Sequence, residues 1–190
     1  MSNLLHFDYA RGSSGEFQTF RALLETNLFD KGVFIHDTTI LNKKLNCIEA
    51  IELKFIWHFT NHRVHWDIIK EPVTKYNEQN NIKTHTELIR HHILRDYNHH
   101  SNFQKFALNK LSNKNDWVGC CGGMCIIDKK ILMKLDKELN FTNIFLKSTT
   151  RRDRMVNESI FSLICYYYYP NIDFTKSYEG LYYDGFCQVK

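Results

Sequence analysis

Apolar residues recur at helical spacing in five stretches of the chain, and this periodicity predicts an α-helix in each. The stretches are residues 15–29, 87–97, 103–111, 129–139 and 151–169. Gly32 ends the first helix, and Pro170 ends the last because proline has no N–H to donate. Asp128 is placed to cap the fourth helix. Thr150 and Asp153 have the spacing of a capping box at the start of the fifth.

Two short apolar runs predict buried strands. Val33-Phe34-Ile35 follows the first helix and consists of β-branched and aromatic residues. The second run, Cys125-Ile126-Ile127, follows shortly after a glycine-containing turn. A helix followed by a buried strand that ends in polar residues is typical of an α/β fold. We therefore expect a single α/β domain over residues 1–190, in which residues 171–190, rich in Tyr and Gly, form a surface tail.

Composition and charge favour a soluble globular protein over a nucleic-acid-binding or membrane-spanning one. The 190 residues suffice for one domain with a core, and 43% hydrophobic with 24% charged residues is the balance of a soluble globular protein. The 25 Lys and Arg residues against 21 Asp and Glu form no clustered basic stripe, so we expect no nucleic-acid partner. No apolar segment of the sequence reaches the roughly 18 residues of a membrane span.

The 6 cysteines favour an intracellular location. They include no C-x-x-C pair, which disfavours a zinc ribbon. The polar start of the chain lacks the pattern of a secretory signal peptide. We therefore expect reduced thiols in a cytoplasmic protein, or in the host cytoplasm if the chain is viral.

A candidate metal ligand lies directly after the first predicted strand, in His36-Asp37-Thr38. Ligands of open α/β sheets bind beyond the carboxyl ends of the strands. Mg²⁺ and Mn²⁺ prefer carboxylate and phosphate oxygens, so one carboxylate together with a diphosphate can hold such an ion. Asp37 is therefore a candidate for binding a divalent cation or a sugar-nucleotide hydroxyl. Alternatively it caps a turn, which is a common role of aspartate.

The segment Trp117-Val118-Gly119-Cys120-Cys121-Gly122-Gly123-Met124 joins an aromatic residue to a glycine turn. Glycine lacks a Cβ and accepts positive φ, so such a turn lets the backbone approach a ligand closely. Together with the strand that follows, the segment predicts one wall of a binding site, with Trp117, Gly122 and Gly123 as candidate substrate contacts. Either of the adjacent cysteines would need a neighbouring base to act as a nucleophile, and the sequence assigns none.

The start of the fifth predicted helix carries arginines suited to binding a diphosphate. It also carries a carboxylate suited to acting as a base. Arg151, Arg152 and Arg154 lie close together there, and guanidinium groups bind phosphate oxygens with paired hydrogen bonds. Glu158 lies within the first two turns, where the helix dipole favours a carboxylate, and it is a candidate general base. The structural alternative is a solvated face on which the arginines pair with Asp153 and Glu158.

Taken in order, three blocks of the chain resemble the GT-A class of glycosyltransferases. They are Val33-Phe34-Ile35-His36-Asp37-Thr38, the segment 117–124, and Arg151-Arg152-Asp153-Arg154-Met155-Val156-Asn157-Glu158. The likeness covers about residues 17–170 and is closest to glycosyltransferases of large DNA viruses and of bacterial polysaccharide clusters. It implies a GT-A-like (Rossmann-like) mixed sheet flanked by helices.

The resemblance implies transfer of a sugar from a nucleotide-sugar donor to a glycan or other hydroxyl acceptor. By position, Asp37 would hold the divalent cation (Mn²⁺ or Mg²⁺) and the donor diphosphate. Gly122 and Gly123 would shape the site of the donor sugar and the acceptor. Glu158 would be the catalytic base of an inverting enzyme.

Two departures from the class leave a second hypothesis open. His36-Asp37-Thr38 has one carboxylate where the class has an Asp-x-Asp motif. Members usually place a longer nucleotide-binding α/β segment before this strand, so we expect an incomplete N-terminal half. The alternative is a catalytically inactive, truncated α/β domain that acts as a binding or interaction module. A nucleic-acid-binding role ranks third.

Overall fold

The computed structural model describes residues 15–35, 39–41, 48–59, 82, 84–113, 116–177 and 187–189. Its helices are α1 (Gly15–Glu25), α2 (His85–Asp96), α3 (Ser101–Ser112), α4 (Lys129–Leu139), α5 (Phe141–Phe145) and α6 (Arg151–Tyr168). Its strands are β1 (Lys31–Val33), β2 (Thr39–Leu41), β3 (Leu53–Phe55), β4 (His58–Phe59), β5 (Gly119–Cys120), β6 (Cys125–Asp128) and β7 (Cys187–Val189). Short 3₁₀ turns cover Ile48–Ala50 and Cys121–Gly123.

The largest sheet in the described part of the chain has three strands in the order β1-β6-β3. Both outer strands run antiparallel to β6, with Gly32 opposite Ile127 and Lys54 opposite Ile126. The pairs β2–β7 and β4–β5 are also antiparallel. The chain is therefore a mixed α/β protein, as predicted. The observed sheets are small and antiparallel, whereas the resemblance implies a mixed Rossmann-like sheet, so the GT-A-like arrangement stays a prediction.

The core is built around α6, which is buried along most of its length. Ile160, Phe161 and Ile164 of this helix have no exposed surface. Phe161 lies 4.8 Å from Phe20 of α1 and 5.8 Å from Phe141 of α5 between ring centroids, so aromatic contacts join three helices. Such pairs stabilise a core by about 1 kcal/mol each beyond the apolar area that they bury.

Helix α4 shows why periodicity predicts this fold's helices well. Its apolar residues Ile131, Leu132, Leu135 and Leu139 are buried, and they fall on one face at helical spacing. The other face is polar except for Met133, which is 53% exposed. The observed bounds of α4, Lys129–Leu139, are the predicted ones.

The first helix and the first strand depart from their predicted bounds. Helix α1 ends at Glu25, and Phe29, counted as its last apolar residue, lies in the following loop and is 45% exposed. Strand β1 covers Lys31–Val33, although the Phe34 N–H still donates to the Cys125 carbonyl at 2.8 Å. Val33 and Ile35 are exposed, so the prediction of a fully buried strand was wrong. β1 is an edge strand of the described sheet, and its side chains are therefore only partly covered.

The segment after α6 was predicted to be a surface tail, and Phe174 departs from that prediction. Its ring is buried and stacks on Phe55 of β3 at a centroid distance of 4.5 Å. It also meets the Tyr166 ring edge-on at 4.8 Å. Farther along, β7 pairs with β2. The apolar character of an isolated Phe in a polar segment was the missed signal.

None of the helices in the described ranges combines the length and the apolar character needed to cross a bilayer.

Candidate functional site

Helix α6 packs directly on the glycine segment, which we define as residues 117–124. It contacts strand β5 and the 3₁₀ turn at Cys121–Gly123. The Ser162 hydroxyl donates to the Val118 carbonyl, and the Val118 N–H donates to the Tyr166 hydroxyl at 3.3 Å. Glu158 precedes Ser162 by about one helical turn and lies on the same side of α6. The fold therefore brings together two of the segments that the sequence singled out.

The two glycines of the turn have backbone conformations that explain their presence. Gly122 has φ 58° and ψ 16°, and Gly123 has φ 66°. Both lie in the left-handed region, which strains residues that carry a Cβ. A Cβ at Gly123 would also lie 3.3 Å from Phe17 Cε1 in the core. The turn thus has a structural reason for its glycines, beside the predicted contact with substrate.

Trp117 lies inside the molecule. Its side chain is 2% exposed and belongs to the main hydrophobic cluster. Its indole N–H has no hydrogen-bond acceptor among the described residues. The geometry therefore makes Trp117 a core residue that supports the glycine segment, and its predicted contact with substrate stays a prediction.

Glu158 is nearly buried within α6, with 8% of its surface exposed. Carboxylates are seldom buried unless a partner or a function holds them there. The neighbouring Asn157 is also buried, and its side-chain amide donates to Ser148 Oγ at 2.6 Å and to the Phe145 carbonyl at 3.4 Å. The N-terminal half of α6 therefore places polar side chains within a largely apolar core.

The first turn of α6 is closed by the predicted capping box. Thr150 Oγ1 accepts the Asp153 N–H at 3.1 Å, and Asp153 Oδ2 accepts the Thr150 N–H at 3.0 Å. The Thr150 hydroxyl oxygen accepts one of the backbone N–H groups that have no partner within the helix, so this end of α6 has one N–H fewer to donate to an anion. Arg152 and Arg154 lie half-buried beyond it. The side chain of Arg151 lies outside the described residues.

A polar cluster beside this turn was missed by sequence reasoning. His92 of α2 lies between two carboxylates, with Nδ1 3.3 Å from Asp96 Oδ2 and Nε2 3.7 Å from Asp153 Oδ1. Arg95 binds Asp96 at 2.6 Å. His92 falls on the inward face of the predicted helix, four residues before Asp96, and that spacing was the available signal.

Two groups of helix α2 have displaced pKa values. Burial, and to a smaller extent the nearby Arg152 guanidinium and His92 imidazole, lower the pKa of His85 to about 4. Burial alone would raise the pKa of Asp96, but hydrogen bonds from His92 and Arg95 lower it to about 2. At neutral pH, His85 is therefore neutral and Asp96 is ionised.

The predicted metal ligand Asp37 lies outside the described residues, so its role stays a prediction. Within the described ranges, no group of three or more His, Cys, Asp or Glu side chains could hold a metal ion. Cys120 is fully buried, and burial raises the pKa of its thiol well above the usual value. A protonated, inaccessible thiol does not suit a nucleophile.

A surface depression of about 590 Å³, here called the lysine depression, lies where β1 and β6 meet the start of α4. It is lined by Asp30, Lys31, Glu49, Asp128, Lys129, Lys130 and Met133. Asp128, at the N-cap position of α4, makes no side-chain capping bond and instead lies 3.1 Å from Lys31 Nζ and 3.5 Å from Lys130 Nζ. The depression shares no residue with the predicted site.

No protein-family model, no curated protein and no solved structure matches this chain.

Proposed function

We propose that this chain is a glycosyltransferase-like protein that transfers a sugar from a nucleotide-sugar donor to a glycan or other hydroxyl acceptor. The observation that carries the proposal is the packing of α6 on the glycine segment, where Ser162 binds Val118 and Glu158 lies four residues before Ser162 on the same helix. A donor loop next to a helical carboxylate is the arrangement that the resemblance implies for the sugar and the catalytic base.

Glu158 would remove the proton of the acceptor hydroxyl while that oxygen attacks the anomeric carbon of the donor sugar. Because only 8% of the surface of Glu158 is exposed, little water would compete for its hydrogen bond to a bound hydroxyl, which strengthens that bond. The departing nucleoside diphosphate gains negative charge. Arg152 and Arg154, at the start of the same helix, supply positive charge for it. A Mn²⁺ or Mg²⁺ ion held at Asp37, as the resemblance implies, would add to that charge.

The variant Glu158→Gln tests this role because it keeps the shape of the side chain and removes the base. We expect turnover with UDP- or GDP-sugars to fall by about 10²–10⁴-fold. Glu138→Gln, which removes an exposed carboxylate from α4, is the matched control and should leave turnover within about two-fold of the wild type. Equal turnover of Glu158→Gln and the wild type would remove Glu158 from the mechanism.

A non-catalytic binding module is the second candidate. The burial of Glu158 favours it, because an acceptor must reach a carboxylate that is almost covered. Thermal-shift measurements with UDP- and GDP-sugars, with and without Mn²⁺, separate the two candidates when combined with a transfer assay. A bound donor raises the melting temperature by mass action. Stabilisation together with transfer would support the transferase, and no stabilisation by any donor together with no transfer would favour the module that binds a partner or a glycan.

A further inference from the structure

We propose that Ser162 and Tyr166 are positioning residues, which hold the backbone of Val118 and thereby keep the glycine segment in register with Glu158. This inference rests on the proposed transfer function and names a part of the site that sequence reasoning did not identify. Neither residue is proposed to touch the substrate.

The two side chains bind both polar backbone groups of a single residue. The Ser162 hydroxyl donates to the Val118 carbonyl, and the Val118 N–H donates to the Tyr166 hydroxyl at 3.3 Å. Val118 is buried, and buried backbone groups must be paired. Both partners belong to α6, so this helix holds the backbone of Val118 directly.

We call the two bonds to Val118 the clamp. The spacing of residues along α6 connects the clamp to the candidate base. Glu158, Ser162 and Tyr166 are four residues apart, so they lie along one side of α6. A rotation of α6, or a shift of the glycine segment along it, would break both bonds to Val118. The two bonds therefore set the position of the segment relative to the row that contains Glu158.

Tyr166 is itself held in place from several directions. Its ring contacts Phe174 edge-on at a centroid distance of 4.8 Å, and Lys110 Nζ lies 5.5 Å from the ring centre. Burial raises the pKa of Tyr166 to about 12, so the hydroxyl stays protonated at neutral pH. A fixed neutral hydroxyl is a suitable acceptor for the Val118 N–H.

The test compares two buried serines of the same helix. Ser162→Ala leaves the Val118 carbonyl without its donor, whereas Ser159→Ala removes a hydroxyl that donates at 3.4 Å to Met155 of its own helix. Both serines have no exposed surface, so the variants delete the same group from the same core. Tyr166→Phe removes the second bond.

We expect kcat of Ser162→Ala and of Tyr166→Phe to fall by about ten-fold or more, because small misplacements of reacting groups cost large factors in rate. The donor KM should change by less than about three-fold, because only the glycine segment shifts relative to Glu158 while the arginines proposed for the diphosphate stay in place. The pH profile should keep its shape, because Glu158 remains. Ser159→Ala should stay within about two-fold of the wild type.

Hydrogen exchange measured without substrate separates failure of this inference from failure of the proposed function. Faster exchange of residues 117–124 in Ser162→Ala and Tyr166→Phe, but not in Ser159→Ala, supports the clamp. A wild type that shows the clamp and no transfer activity would reject the catalytic role together with the proposed function. An active wild type whose Ser162→Ala variant matches Ser159→Ala in kcat would overturn the positioning role alone.

Discussion

At the scale of single residues, the most informative positions are polar side chains that the fold buries. Asn157 binds Ser148, and Ser162 binds Val118, so each joins α6 to another segment. An unpaired buried polar group would be strongly destabilising, and its presence in an apolar stretch therefore marks a contact between segments. Sequence reasoning assigned no role to Asn157 or Ser162 and missed both contacts, because Ser148 lies outside the helix and Val118 precedes Ser162 by 44 residues.

His85 makes a testable prediction about acid sensitivity. Its pKa of about 4 in the folded protein lies below the ordinary value of 6.5, so the unfolded chain binds the proton more readily. The stability that neutral His85 contributes is therefore fully present above about pH 6.5 and is lost as the pH falls toward 4. The free energy of unfolding should decrease by roughly 3 kcal/mol over this range, as measured by urea unfolding.

The variant His85→Gln should lose most of this decline between pH 7 and 4.5. The exposed His99→Gln serves as the control and should follow the wild type. Asp96, whose pKa is lowered to about 2, contributes stability that is lost below pH 3.8 and so lies outside the measured window. An equally steep decline in His85→Gln and the wild type would show that His85 is not the acid-sensitive group.

At the scale of elements, the helices could be predicted from local pattern and the strands only in part. Helix α4 has its predicted bounds because its apolar spacing is regular, and α6 begins where its capping box predicts. Strands β3 and β4 were not predicted, since a short apolar run has no periodicity that separates helix from strand. Strand pairing depends on residues far apart in the chain.

The capping box of α6 supplies a prediction at this scale. Thr150→Ala removes the oxygen that accepts the Asp153 N–H, and it should lower the free energy of unfolding by about 1 kcal/mol. Thr149→Ala is the matched control, since the adjacent threonine is also exposed and only its backbone N–H binds Asp153. The control should change stability by less than about 0.5 kcal/mol. Equal effects in urea unfolding would show that the box does not stabilise α6.

At the scale of the whole molecule, the candidate site was predictable only as far as its blocks are contiguous in sequence. The glycine segment and the helix that carries Glu158 were each recognised, and α6 packs on that segment. Trp117 was predicted to contact a ligand, and it belongs to the main hydrophobic cluster with 2% of its surface exposed. The lysine depression was not predicted, because Lys31, Glu49 and Lys130 come from separate elements.

The central claim is that a nucleotide sugar binds where α6 meets the glycine segment. Photo-crosslinking with UDP- and GDP-sugars that carry a photoreactive group on the sugar, followed by peptide mapping, tests it most directly. We expect label on residues 117–124 and 151–158, and excess unmodified donor should remove it. Label confined to other residues, such as those of the lysine depression, or no label that unmodified donor removes, would contradict the claim.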